Sequence, residues 1–152
     1  MTIEERLLEL GVKQYRDIPQ LAPLFRQVCA TLGQLVSVQE VQAATWCITT
    51  VEEGKAIGML CATNDRFILI GAIPQTKQLI SKEYPFKELS KVLLYRHAVT
   101  EVVEKMILQF SVISFNFLGI KGFIPLDFIA FLENTSLEVI SGITPENGSA
   151  MQ

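Results

Sequence analysis

Residues 57 to 71 read IGMLCATNDRFILIG, and the fold follows from them. Two apolar, β-prone runs flank the pair Asn64-Asp65, and both residue types tolerate the backbone of a tight two-residue turn. With that pair as a type I′ loop, Ala62 faces Phe67, Cys61 faces Ile68 and Leu60 faces Leu69. Both faces of the resulting hairpin are apolar, as expected of central strands covered on two sides.

Outward from this hairpin, the flanking segments change period. On the N-terminal side, Thr2 and Glu5 have the spacing of a capping box, Leu7, Leu8 and Leu10 form a stripe, and Gly11 ends a first helix. A second helix is predicted from Asp17, with Pro19 in its first turn. Its stripe is Leu21, Leu24, Phe25, Val28 and Leu32, and Gly33 stops it. Residues 35 to 51 are rich in β-branched residues and read as one long strand or two short ones, turning at Glu52-Glu53-Gly54.

On the C-terminal side, residues 72 to 83 read as a polar connection containing Pro74. Residues 84 to 96 read as a turn followed by a strand. The run from Val102 to Leu118 gives two more strands. Met106, Leu108 and Phe110 keep one phase and Ile113, Phe115 and Phe117 the other, so a bulge or tight turn sits at Val112-Ile113. A last helix follows Pro125, with Phe128, Ile129, Phe131 and Leu132 as its stripe and Asp127 near its start. The tail from Pro145 is polar and reads as frayed.

Composition narrows the function classes. The chain has 152 residues, 49% of them apolar and 19% charged, with 13 basic against 16 acidic side chains. Such a chain suits one folded domain, is too apolar for disorder, and lacks the cationic field of a nucleic-acid binder. The longest uncharged stretch, Met106 to Ile120, is 15 residues, shorter than a spanning helix. MTIEERLLEL has neither a basic n-region nor an apolar h-region, so no signal peptide is expected and the chain is assigned to the cytoplasm.

Chemistry-bearing patterns are few. Cys29, Cys47 and Cys61 have apolar neighbours and form no CxxC pair, so they read as buried free thiols, and no metal or cofactor site is expected. Cys61 or Cys47 with His97, the single histidine, is the remaining route to a nucleophilic dyad, and no orienting acid is fixed by spacing. There is no phosphate-binding or nucleophile-elbow motif, and no enzyme activity is expected.

Charge placement is more informative. Residues 54 to 105 hold Lys55, Arg66, Lys77, Lys82, Lys87, Lys91, Arg96 and Lys105 against five acids, inside an otherwise acidic chain. The first seven are the candidate binding residues, suited to an acidic protein surface or to the headgroups of an anionic membrane. Edge strands, or the Phe-rich run from 106 to 132, could also bury against a second copy of the chain.

The element order resembles a pleckstrin-homology-like (PH-like) barrel, and particular residues carry the likeness. Gly58, an aliphatic run, Thr63-Asn64-x-Arg66 and the aliphatic run 67 to 70 are similar to the signature of bacterial PH domains of the YokE-like kind. Phe86, Leu89 and Val92 fill the places of that family's next strand-anchoring residues. The likeness spans about residues 33 to 132. Gln34 stands where the family usually has an acid, and the late hairpin lacks the family's Gly-rich turn. It implies an α+β fold of about seven antiparallel strands in two orthogonal sheets, with a C-terminal capping helix and an N-terminal helical extension. The division is then 1–32 for the extension, 33–142 for the PH-like domain and 143–152 for a flexible tail. It implies a non-enzymatic protein-interaction or scaffolding module that binds a partner or itself, with peripheral binding of anionic lipid as the alternative.

Overall fold

The computed structural model describes residues 1–13, 18–135 and 138–144. In chain order it contains α1 (Ile3–Glu9), α2 (Leu21–Leu35), β1 (Ala43–Val51), β2 (Gly54–Ala62), β3 (Arg66–Ile73), β4 (Gln78–Pro85), β5 (Leu89–Arg96), β6 (Val103–Phe110), β7 (Ser114–Gly119), α3 (Leu126–Glu133) and β8 (Val139–Ile143). The strands form one sheet in the order β4-β3-β2-β1-β7-β6-β5-β8. All neighbours are antiparallel except β5 and β8, which are parallel. No helix of the described residues is long and apolar enough to cross a membrane.

The hairpin register is the one read from the sequence: Ala62 pairs with Phe67, Cys61 with Ile68, Leu60 with Leu69. Its turn type is not. Neither Asn64 nor Asp65 has a positive φ, which a type I′ turn requires. The Thr63 hydroxyl supplies the closure instead. It accepts from the amides of Asp65 and Arg66 at 3.3 and 3.2 Å and donates to the Asp65 carboxylate at 2.9 Å.

The alternation along β1–β3 divides the molecule into two cores. Cys47, Leu60, Ala62, Phe67 and Leu69 face inward with the apolar sides of β5–β7 and α3. Their neighbours Ala44, Trp46, Met59, Cys61, Ile68 and Ile70 face outward, under α1 and α2. The stripe Leu21, Leu24, Phe25, Val28 and Leu32 dries that outer face, with the Phe25 and Trp46 ring centroids 6.1 Å apart. Burying each such large side chain contributes about 1.5–3 kcal/mol. The N-terminal helices therefore share a core with the sheet. Arg6 fixes α1 by donating to the Val41 carbonyl at 3.0 Å.

For both halves of the sheet to reach one inner core, the sheet must bend, and a row of small residues lets it. Gly119, Cys47, Gly58 and Gly71 are successive partners across β7, β1, β2 and β3. A Cβ on Gly58 would run into the Ile70 carbonyl and lie 2.6 Å from the Gly71 Cα; one on Gly71 would lie 2.7 Å from the Ile57 carbonyl oxygen. Side chains then close the inner space without backbone bonds. Tyr84 on edge strand β4 meets Phe110 and Phe115 of β6 and β7, at 5.5 and 4.7 Å between centroids.

Several expectations are corrected. Among the described residues the strands are eight in one open mixed sheet, not a closed barrel of two sheets, and edge strands β4 and β8 do not pair with each other. The second helix begins at Leu21, so Pro19 precedes it; Asp17 lies outside the described residues. It continues past Gly33 to Leu35, because Val36 extends its buried stripe and Gly33 sits where a side chain is not needed to fill the core. Residues 36–42 are consequently no strand, and Ser37 and Glu40 make a capping box over a 3₁₀ turn. Residues 78–83, expected as connection, and 84–85, expected as the turn before the next strand, form β4, an edge strand on which Ile80 is the one buried side chain. The C-terminal segment from Val139 pairs with β5, while residues 145–152 lie outside the described residues. The capping box at Thr2, the turn at 111–113 and the helix after Pro125 stand as read. The Phe-rich run is mostly core: Phe110, Phe115, Phe117 and Phe128 are buried and Phe123 is exposed.

Substituting Ala for Gly58 or Gly71 is expected to destabilise the fold by about 2 kcal/mol or more, since the obstructing atoms are backbone. Urea titration followed by Trp46 emission measures this; a loss below about 0.5 kcal/mol would contradict the tight approach.

Candidate functional site

Among the described residues, half of the outer sheet face has no helix over it. On β5–β7 the inward residues Val92, Leu94, Met106, Leu108, Phe115 and Phe117 fill the inner core. Their neighbours Leu93, Tyr95, Lys105, Ile107, Asn116 and Leu118 therefore point outward. The pairing registers line these up with residues from every other strand. One row runs Gly142, Tyr95, Lys105, Leu118, Ile48, Ile57, Ala72, Leu79, crossing all eight strands. A second, shorter row runs Ile140, Leu93, Ile107, Asn116. Leu118, Leu79 and Ile140 are 46%, 50% and 42% exposed, far beyond what core residues show.

A groove of about 480 Å³ lies in the middle of this face, where β1 and β7 part. Those strands pair only at Cys47–Gly119 and Ile48–Leu118, and beyond that point the Thr49 hydroxyl donates to the Asn116 carbonyl. Ile48 and Leu118 line the groove together with Thr50, Ser114 and Asn116, and Lys55 and Lys105 contribute two cations. Lys105 also lies over the Tyr95 ring, 5.9 Å from its centroid, and Gly142 beside that ring leaves it room. Neither row contains a carboxylate. The arrangement can hold an acidic group on the lysines and apolar groups along the rows.

The seven basic residues picked from the sequence do not assemble into one site. Lys55 lines the groove, and Lys91 is half-buried on the same outer face, next to Leu93 along β5. Lys77 is exposed in the β3–β4 turn with φ of 61°, and Lys87 is exposed in the 3₁₀ turn after β4. Lys82 pairs with Glu53 at 2.7 Å, tying the edge strand to the β1–β2 turn. Arg96 donates to the Glu101 carbonyl at 3.3 Å. Arg66 is a clasp: it meets Glu83 at 2.6 Å, Asp65 at 2.9 Å, and the Leu35 carbonyl at the end of α2 at 3.4 Å, where a cation suits the helix dipole. Lys105, outside the seven, is the residue that joins Lys55. What sequence reasoning missed was the apolar rows. Leu118, Ile107 and Leu93 are spaced at two along their strands, but only the inter-strand register makes them neighbours.

The thiols are buried or half-buried, and the histidine lies in a loop. Cys47 is buried in the inner core and Cys61 beneath α2. Burial pushes Cys47 up to about 12, raises Cys61 further, and pushes half-buried Cys29 up to about 11, so the thiolate is disfavoured at neutral pH. His97 sits in the β5–β6 loop, where its Nδ1 accepts from the amides of Val99 and Thr100 at 3.1 and 3.2 Å. No group of His, Cys, Asp and Glu among the described residues is arranged to hold a metal ion.

Besides Glu5 in its capping box with Thr2, two carboxylates in the turns of the sheet link stability to acid. Hydrogen bonds from Thr63 and then Arg66 hold Asp65 below its usual range, and a hydrogen bond from Lys82 does the same for Glu53. A depressed folded-state value means that the stabilisation is present at neutral pH and lost as pH falls through about 4 and below. Thermal midpoints should drop between about pH 5 and 3, and the paired substitutions Glu53→Gln and Asp65→Asn should flatten that drop. An unchanged slope in the double variant would show that these pairs do not respond. Comparison of the chain with protein-family models and with curated proteins finds no match.

Proposed function

We propose that this chain is a non-enzymatic, PH-like interaction module that binds an acidic protein segment on the bare outer face of β5–β7 and β1. Supporting the PH-like reading, β4-β3-β2-β1 and β7-β6-β5 form two antiparallel runs bent around one core, with a C-terminal helix against it. Fold likeness supplies no ligand, so the partner is argued from the surface alone.

One observation carries the choice of partner: two half-exposed apolar rows without a carboxylate, beside Lys55, Lys91 and Lys105. An apolar strip of this kind favours a partner that removes it from water, and the lysines favour one bearing carboxylates. A segment alternating Leu and Glu satisfies both, laying its leucines on Leu118 and Ile48 and its carboxylates on the lysines.

Titration with a ten-residue peptide of alternating Leu and Glu, followed by backbone amide shifts, tests the reading. The expected result is saturable shifts at Ile48, Lys55, Lys105 and Leu118, weakened roughly tenfold by Lys55→Glu with Lys105→Glu and by raised salt. The same peptide with Lys for Glu should not bind. Shifts that arise only with vesicles of anionic phospholipid would replace the protein partner with a membrane, and shifts elsewhere on the surface would overturn the site.

A further inference from the structure

Among the described residues both edges of the sheet are open, and they are built differently. On β4, the Phe86 amide donates to the Asp65 carbonyl, so alternation leaves the backbone groups of Leu79, Ser81 and Glu83 pointing away from β3. That edge carries Lys82, Glu83 and Pro85, residue types that discourage further strand pairing. On β8, Val139–Ile143, there is no charge and no proline.

The β8 edge also has a symmetric pattern. Val92 donates to the Glu138 carbonyl and Thr144 to the Arg96 carbonyl, so the even-numbered residues of β8 turn their backbone groups to β5. Val139, Ser141 and Ile143 turn theirs outward. An antiparallel copy of the strand centred on Ser141 brings Val139 opposite Ile143, Ser141 opposite Ser141, and Ile140 opposite Gly142. Each large side chain meets a smaller or complementary one, and no charges oppose. Three narrow pairs would exchange about six backbone hydrogen bonds. The same register sets Glu138 opposite Thr144 of the second copy, whose hydroxyl is shielded from water and lacks a partner among the described residues. Ile140 and Ile143, 42% and 67% exposed, would lose water contact.

From this register we infer that the chain forms a two-fold dimer through β8, its occupant being the β8 strand of a second copy, and that the dimer carries one continuous sheet. The contact uses the sheet edge, whereas the proposed partner uses its outer face, so either can fail without the other.

Sedimentation equilibrium of the full chain, with two variants, tests it. The expected result is a monomer–dimer equilibrium with a dissociation constant in the range of about 1 to 100 micromolar. Ser141→Pro removes an outward amide that makes no bond among the described residues, so the fold should persist, read by buried Trp46 emission, while dimerisation weakens roughly tenfold or more. Ser141→Cys places two thiols at the two-fold, about 5.5 Å apart at Cα and within disulfide reach, so mild oxidation should give a covalent dimer. Ser81→Cys on the β4 edge should not. A monomer at all concentrations to about 500 micromolar, undiminished dimerisation in Ser141→Pro, or equal cross-linking through Ser81→Cys would overturn the inference.

Discussion

Strands β1–β3 are apolar on both faces, and a strand of that kind must be kept dry on both. Everything else in the molecule answers that requirement. Outside, α1 and α2 cover Trp46, Met59, Cys61, Ile68 and Ile70. Inside, the sheet bends until β5–β7 and α3 cover Leu60, Phe67 and Leu69. The bend in turn needs Gly58 beside Gly71, because any Cβ there meets the backbone of the neighbouring strand. A hairpin with one polar face would need neither the helices nor the bend.

The same division explains where apolar surface is left on the outer face. Helices α1 and α2 cover the outer face of β1–β3 and stop there, so among the described residues nothing covers the outward side chains of β5–β7. They are mixed in character, with Leu93, Ile107 and Leu118 interspersed with Lys105, Gln109 and Asn116, which places polar side chains among apolar ones across the strands. Arg66, a binding candidate by charge, is taken up in holding α2, β3 and β4 together. Charge count alone does not separate Arg66, engaged with Asp65 and Glu83, from Lys55 and Lys105, which line the groove.

What was legible in the residues was whatever local pattern decides. The register of the central hairpin follows from apolar alternation, because a slip of one residue would turn every side chain over. The turn type did not follow, since the Thr63 side chain supplies hydrogen bonds that permit an ordinary backbone at Asn64 and Asp65. Strand β4 was hidden because an edge strand needs only one face dry, and QLISKEYP buries only Ile80 fully. Strand β8 was hidden for a related reason: four of its five residues are exposed, and the β5 residues it pairs with lie 47 positions earlier in sequence. The outer rows were out of reach because neighbours such as Lys105 and Leu118 are made by strand order, which no single segment encodes.

Native-state hydrogen exchange across the whole chain tests most directly whether two-faced burial organises the fold. The account predicts that amides of β1–β3 and of the buried side of α2 exchange together, with an opening free energy equal to that of global unfolding. The uncovered strand β8 should open at much lower cost. If α1 and α2 instead open as a separate low-energy unit while β1–β3 stay fully protected, the outer core is dispensable and the account is contradicted.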